Sequence, residues 1–284
     1  MAGVAETRTK AAALRHALAE GCVTAPFVYD AIQAKLAEAA GLSAVYMTGF
    51  GTAASRGFPD MGLLTMTEMV EAVRTIADST ILPAICDADT GYGNPLNVQR
   101  TVREYERAGA AALHLEDQVW PKRCGFFEGK EVIPLEDHAQ KIRSACDARS
   151  DSDFVVIART DALQTHGWDE VEKRARAYRD AGADLIFADG LKSDADLDTY
   201  CERLAGLPLV FNGVFGVPDD LAARGIQLVL NGATFTASIG AARDAMQKLA
   251  AGQPVHRPED GEALGKLLEQ LGVAELFELS GRYK

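Results

Sequence analysis

Residues 106–116 read ERAGAAALHLE, and the phrase returns along the chain as EAAGLSAVYM at 38–47, RDAGADLIFAD at 179–189 and AARGIQLVLN at 222–231. Each copy is the end of a helix, a glycine that caps it, a short loop and an apolar run entering a strand. Strand-like runs lie at 22–27, 44–48, 83–87, 111–115, 154–158, 184–188, 208–212 and 226–230. Helix-period segments intervene at 30–40, 67–78, 97–108, 135–148, 169–181, 194–205, 218–223 and 236–250, and an amphipathic segment at 7–20 precedes the first strand. Eight βα units without a large insertion predict an α/β fold, a closed (β/α)8 TIM-type barrel. An open doubly wound sheet is the alternative and suits the count less well. The barrel is expected over 1–252. The soft segment AGQPVHRPED at 251–260 leads into a C-terminal helical extension, 253–284, with helices at 261–271 and 273–281.

The 284 residues suit one barrel of about 250 residues with short extensions. An apolar fraction of 48% supplies a large core. A net charge of −12 argues against nucleic acid or an anionic membrane as partner. It leaves a small anionic substrate open, because a bound cation or a local arginine inverts the field at a site. The five cysteines, at 22, 86, 124, 146 and 201, form no paired framework and no C-x-x-C motif, which suits a reducing compartment. The N-terminal stretch lacks an apolar signal core, and no run of 18 apolar residues occurs. The expected location is the cytoplasm.

In a barrel of this kind the C-terminal ends of the strands carry the chemistry. Those ends bear Tyr46, Thr48 and Gly49; Asp87 and Asp89; His114, Glu116 and Asp117; Arg159, Thr160 and Asp161; Asp189; Asn212; and Asn231. The third end, within ILPAICDADTGYGN at 81–94, spaces two acids i, i+2 before glycines 91 and 93. In a strand that spacing points both carboxylates into one cavity, where they hold a cation or share a proton. An exposed Asp/Gly turn is the competing reading. With Glu116 the acids form an all-oxygen set suited to a hard cation such as Mg²⁺. His114, between Leu113 and Leu115, reads as a packed, hydrogen-bonded histidine. Cys124 sits in PKRCGFFEGK beside Lys122, Arg123 and Lys130, cations that favour a reactive thiolate, and glycines 125 and 129 let this loop act as a lid.

Four stretches together, YMTGFGTAASRGFPDMG (46–62), DADTGYGN (87–94), HLEDQVWPKRCG (114–125) and IARTDA (157–162), resemble the isocitrate lyase/phosphoenolpyruvate mutase superfamily. The resemblance runs from about 22 to 240 in the right order. It implies a (β/α)8 barrel with a Mg²⁺ site, Mn²⁺ being a possible substitute, for small keto or hydroxy carboxylates. It also implies a terminal helix exchanged between subunits of a homotetramer, a dimer of helix-swapped dimers. By motif, Asp87 matches the direct metal ligand, and Asp89 and Glu116 match acids that hold the metal's waters. Asp60 matches the acid that approaches the reacting centre. Tyr46, Thr48, Gly49 and Phe50 match the cradle of one carboxylate, and Arg159 matches the arginine facing the substrate. Cys124 falls on the catalytic acid of the lyase branch, with Asp189 and Asn212 on the substrate side of the pocket.

Three departures mark this chain. Phe126 stands where lyases acting on isocitrate or methylisocitrate carry histidine, Asp189 replaces a common glutamate, and Asn212-Gly213-Val214-Phe215 lacks the acid that often follows strand seven. All three fall where the far end of the substrate is gripped. The implied activity is Mg²⁺-dependent carbon–carbon cleavage of a substituted malate-like 2-hydroxy acid, of the 2-methylisocitrate or alkylmalate type, into an α-keto acid and a carboxylate. Phe126, Phe127, Val214 and Phe215 direct the preference to an alkyl or aryl substituent. The alternatives are oxaloacetate-type decarboxylation or hydrolysis, C–P phosphonomutase chemistry, and a barrel that only binds a keto acid.

Overall fold

The computed structural model describes residues 8–125, 127, 129–213, 218, 220–255 and 260–283. Eight parallel strands pair in chain order and close on themselves: β1 (Val23–Val28), β2 (Val45–Met47), β3 (Ala84–Asp87), β4 (Ala112–Glu116), β5 (Val155–Thr160), β6 (Leu185–Ala188), β7 (Leu209–Asn212) and β8 (Ile226–Asn231). The helices are α1 (Lys10–Glu20), α2 (Ala31–Ala39), α3 (Gly49–Ser55), α4 (Met66–Ser79), α5 (Pro95–Arg107), α6 (Leu135–Ala148), α7 (Leu163–His166), α8 (Trp168–Asp180), α9 (Asp194–Arg203), α10 (Ala233–Ala250), α11 (Asp260–Gln270) and α12 (Val273–Gly281). All eight expected strands form. Helices α3 and α7 were not expected. The expected helix at 218–223 is replaced, over the described residues 220–225, by turns in which Gly225 N donates to Ala222 O and Ile226 N to Leu221 O.

Strand alternation builds two cores. Val23, Ala25, Ile85, Val155, Ile157, Leu185, Phe187, Val210 and Leu228 fill the barrel interior, while the intervening positions pack under the helices. Helix α1 closes the N-terminal end: Leu14 is fully buried, and Arg15 donates to Asp153 O and Asp184 Oδ1 at 2.8 and 3.0 Å. The opposite end stays open for chemistry.

Two devices steer the strand ends. After β3 the chain leaves extended geometry, with φ of 47° at Asp89 and 58° at Tyr92, and Tyr105 Oη on α5 donates to Asp87 O at 2.9 Å. Asp117, just past β4, accepts from Thr160 Oγ1, Arg174 Nη1 and Tyr178 Oη at 2.7–2.9 Å and from Asp161 N at 2.9 Å. It thereby ties β4, β5 and α8 together with every contact buried. No described helix is long and apolar enough to cross a membrane.

His138 on α6 is fully buried, edge-on to Tyr178 at 4.7 Å between ring centroids. Burial pulls its pKa down to about 3, against about 6.5 in an unfolded chain. A depressed histidine favours the folded state above the unfolded value, and that contribution is lost as pH falls from about 6.5 toward 3, by up to about 1.4 kcal/mol per unit. Between about pH 7.5 and pH 5 the wild type should therefore lose about 2 kcal/mol more apparent stability than His138→Leu in urea unfolding. Parallel pH profiles would remove the histidine from the account.

Candidate active site

The strand ends of the open face surround a cavity of about 500 Å³. Tyr46, Thr48, Phe50, Asp60, Asp87, Cys124, Arg159, Asp189 and Asn212 line it together, although they are spread over more than 160 positions of sequence. Gly49 lies directly behind: its N–H donates to Asp87 Oδ2 at 3.2 Å. Asp89 and Glu116 are not on the cavity wall but lie behind it, buried. Asp87 and Asp89 do not share one strand face, as their spacing suggested. The strand ends at Asp87, and the positive φ of Asp89 turns its carboxylate toward the loop at 57–62 and toward Lys122.

The charges divide into two groups. In the first, Asp60, Asp87, Asp89 and Glu116 gather around one ammonium, that of Lys122, which contacts Asp60 and lies 2.8 Å from Asp89 Oδ1. Burial works against ionising Asp89 and pushes its pKa up to about 6 despite Lys122. Glu116 is raised further by burial, and neither of its oxygens has a hydrogen-bond partner; Arg159 Nη1 stands 3.4 Å away as an ion pair. Burial opposes the charge of Asp87 too, but the nearby cations Lys122 and Arg159 hold it below the usual carboxylate range.

The second group is balanced. Arg159 grips Asp161 with two hydrogen bonds, of 2.9 and 3.0 Å, and donates to Asp189 Oδ2 at 3.0 Å. Lys130 Nζ reaches Asp161 Oδ1 at 2.9 Å and stands 3.6 Å from Asp189 Oδ2. Against the cost of burial, Arg159 and Lys130 hold Asp161 far down. Asn212 Nδ2 reaches Asp189 Oδ1 at 3.4 Å.

The loop carrying Cys124 lies across both groups. Cys124 N donates to Asp60 O at 3.0 Å, and Lys122 docks among the acids. A Cβ on Gly125 would collide with Asp189 Oδ2 and sit 3.4 Å from Arg159 Nη2, so only glycine lets the backbone come this close. Cys124 is 5% exposed, at the cavity wall.

Sequence reasoning missed several residues. Lys122 and Lys130 stood out only as cations near Cys124. His114, by contrast, is the packed, hydrogen-bonded histidine that the sequence led one to expect: it shares a 2.8 Å hydrogen bond with Tyr46 Oη inside the barrel, and burial lowers its pKa to about 4, leaving it neutral. Apolar residues form much of the rest of the cavity wall, namely Phe27, Phe50, Leu191, Phe211 and Phe235, the last from α10, with Gln164, Lys192 and Thr236 among them. Phe235 meets Phe50 edge to face at 5.2 Å. Of the residues expected to form that wall, Phe126, Val214 and Phe215 lie outside the described residues, and Phe127 is exposed and off the cavity.

Among the described residues no three His, Cys, Asp or Glu side chains converge to hold a bare metal ion. The oxygen-only set around Asp87 instead suits a hydrated hard cation, with one direct ligand and further acids reached through water. The buried Glu116 carboxylate, whose oxygens accept no hydrogen bond, is the feature such a cation would compensate.

A closed parallel barrel with this acid cluster, arginine and loop cysteine places the chain in one class, and residues 14–250 match the family described as phosphoenolpyruvate phosphomutase. The chain belongs to the phosphoenolpyruvate mutase/isocitrate lyase superfamily. It is 48% identical over 188 residues to the 2,3-dimethylmalate lyase of Eubacterium barkeri, an alignment that covers 66% of this chain and 65% of that one. Among solved structures it resembles oxaloacetate acetylhydrolase in complex with 3,3-difluorooxalacetate, with a TM-score of 0.90, 37% identity and 97% of each chain covered. It also resembles phosphonopyruvate hydrolase in complex with oxalate and Mg²⁺, with a TM-score of 0.86, 33% identity and 97% and 99% covered.

Gly49 supplies a test of how tightly Asp87 is held. A Cβ there would lie 2.8 Å from Asp87 Cγ, and that carboxylate is fixed by the N–H groups of Gly49 and Asp89. Gly49→Ala should cost about 1–3 kcal/mol. In an Asp87→Ala background it should cost nothing or stabilise, as Gly→Ala in a helix normally does. Additive effects in this double-mutant cycle would contradict the packing described.

Proposed function

We propose that the protein is a divalent-cation-dependent carbon–carbon lyase that cleaves a substituted malate-like 2-hydroxy acid into an α-keto acid and a second carboxylate. The convergence of Cys124, Arg159 and Asp87 on one cavity carries the reading. Asp87 would hold Mg²⁺, or Mn²⁺ in its place, directly, and Asp89 and Glu116 would hold it through water. When bound, the cation polarises the substrate hydroxyl and its adjacent carboxylate. Arg159 faces the substrate as its fixed positive partner, and the Tyr46-to-Phe50 segment cradles a carboxylate. Asp60 reaches the reacting centre from the loop after β2. As the bond between C2 and C3 breaks, C2 becomes the keto carbon and its hydroxyl proton passes to a base. The electron pair goes to C3, beside the second carboxylate, and the Cys124 thiol delivers a proton there. The loop over the cavity excludes water during that transfer. Asp189 and Asn212 form the side of the pocket that meets the substrate's far end.

The apolar part of the wall, Phe27, Phe211 and Phe235, supports a preference for an alkyl group over a carboxylate on the substrate. Each buried methylene contributes about 0.8 kcal/mol, and a carboxylate left unpaired there would cost several. Similarity to oxaloacetate acetylhydrolase supports a second reading, hydrolysis of oxaloacetate, in which Cys124 has no part.

One panel of 2-hydroxy and 2-keto diacids, assayed with Mg²⁺ for α-keto acid release, tests these readings. An alkylmalate should exceed methylisocitrate in kcat/KM. EDTA should abolish turnover and Mg²⁺ or Mn²⁺ restore it. Asp87→Ala should lose both turnover and calorimetric Mg²⁺ binding while keeping its fold, and Cys124→Ser should lose alkylmalate cleavage. Undiminished Mg²⁺ affinity in Asp87→Ala would sink the metal assignment. Oxaloacetate turnover that survives Cys124→Ser, without alkylmalate cleavage by the wild type, would favour the second reading.

We further propose a helix-exchanged assembly, in which 253–284 serves as a C-terminal extension and four copies associate. None of the 18 residues of α10 is buried, and Leu249, Leu264, Leu268, Leu276 and Phe277 are exposed, an apolar surface large for a lone chain. Sedimentation should report a tetramer that a chain ending at Gly252 loses; a monomeric full-length protein would rule the exchange out.

A further inference from the structure

We infer that Lys130 is a positioning residue, a latch that holds the Cys124-Gly125 turn over the cavity and joins it to the carboxylate that orients Arg159. The inference rests on the lyase reading for its catalytic consequence, but on geometry alone for the latch. The Lys130 side chain has no exposure. Its ammonium donates to Gly125 O at 3.1 Å and to Asp161 Oδ1 at 2.9 Å, and stands 3.6 Å from Asp189 Oδ2. Asp161 Oδ1 and Asp189 Oδ2 are the same two oxygens that accept from Arg159 Nη2. One lysine therefore touches the backbone beside the catalytic thiol and both acids that fix the substrate arginine.

Lys130 fastens the far side of the loop. Its near side is fastened by Lys122 and by Cys124 N to Asp60 O, and its base by Val119 N to Glu131 O at 2.8 Å. Lys130 supplies the charged bond between the turn itself and β5. The approach is close because Gly125 has no side chain to hold Asp189 away. A charged donor buried against two carboxylates and a carbonyl has nowhere else to satisfy its protons, so the turn closes where Lys130 can reach all three.

Without the ammonium, Asp161 retains its two bonds from Arg159, but the turn loses its tie to β5 and opens more often. The thiol, otherwise almost covered, becomes reachable from solvent. Loss of a charge-assisted hydrogen bond should raise the open population about tenfold or more.

The test compares wild type, Lys130→Met and Lys130→Arg, each checked for fold by circular dichroism and thermal melting. Alkylation of Cys124 by iodoacetamide is followed by mass spectrometry of the peptide that contains it, with Cys22, Cys146 and Cys201 as internal references. Lys130→Met should alkylate at Cys124 about tenfold faster while the reference cysteines keep their rates, and Lys130→Arg, which keeps a cation, should lie nearer wild type. In turnover on the substrate found by the panel, kcat should fall at least as much as kcat/KM, because the loss is in closing the turn over bound substrate. An unchanged Cys124 rate in folded Lys130→Met overturns the latch whatever the reaction. A raised rate at Cys124 in a protein without lyase activity leaves the latch standing and removes the lyase reading instead. If Lys130→Met fails to fold, Lys130→Gln, which removes the charge but keeps a polar side chain, takes its place: selective acceleration at Cys124 supports the latch, and an unchanged rate or acceleration shared by all cysteines refutes it.

Discussion

Buried charge at the open end of the barrel must be neutralised where it sits, and the way this is done divides the site. On one side Arg159 and Lys130 face Asp161 and Asp189, two cations against two anions, with hydrogen bonds to match. On the other, four acids surround Lys122, and Arg159, already paired with Asp161 and Asp189, stands 3.4 Å from one of them, Glu116. Coulomb attraction in a poorly solvated site is strong, and an unmatched charge there is correspondingly expensive. The first half can stand as it is. The second half carries surplus negative charge: burial first, and then Asp87 and Asp60, push the pKa of Asp89 up, and the oxygens of Glu116 make no hydrogen bond. A divalent cation would relieve that surplus, whereas an anionic substrate alone would add to it.

The fold delivers these charges by a small number of constraints. Parallel pairing in chain order takes every strand end to the same rim. Tyr105 and the left-handed turn at Asp89 fix the end of β3, while Asp117 binds β4 to β5 and to Arg174. Gly49 and Gly125 allow backbone to press against Asp87 and Asp189 where a methyl group would not fit. Phe27, Phe50, Leu191, Phe211 and Phe235 add apolar surface to the same cavity.

Much of this was legible in the sequence, for physical reasons. Buried parallel strands are continuous apolar runs with a glycine-capped helix before them, so all eight stood out, to within a residue or two at most ends. Once they were ordered into a barrel, Asp87, Arg159 and Asp189 had to meet. The short helix at Gly49–Ser55 was invisible because GFGTAAS has two glycines and no apolar period, and Leu163–His166 is a single turn. The stretch before β8 looked helical from its AARG ending, but its described part is only turns. Asp89 was misplaced because alternation was extended two residues beyond the strand. Lys122, Lys130 and Phe235 could not be placed at all, since a loop's path and the start of an outlying helix depend on contacts that periodicity does not encode.

The cost of the network bears on what it is for. A buried ion pair seldom stabilises a protein more than a well-packed apolar pair of similar size would. What the Arg159 cluster provides is orientation. Its Nε and Nη2 are both held by Asp161, Nη2 is shared with Asp189, and the guanidinium stands 5.2 Å from the Phe187 ring centre. The plane of the group is therefore fixed, with Nη1 left on the side of Glu116. An arginine fixed in this way meets a carboxylate without reorganising, and preorganised charge of that kind is where enzymes gain most over water. The same acids that make the site costly to fold make its arginine rigid, and Lys130 extends that rigidity to the loop that bears the thiol.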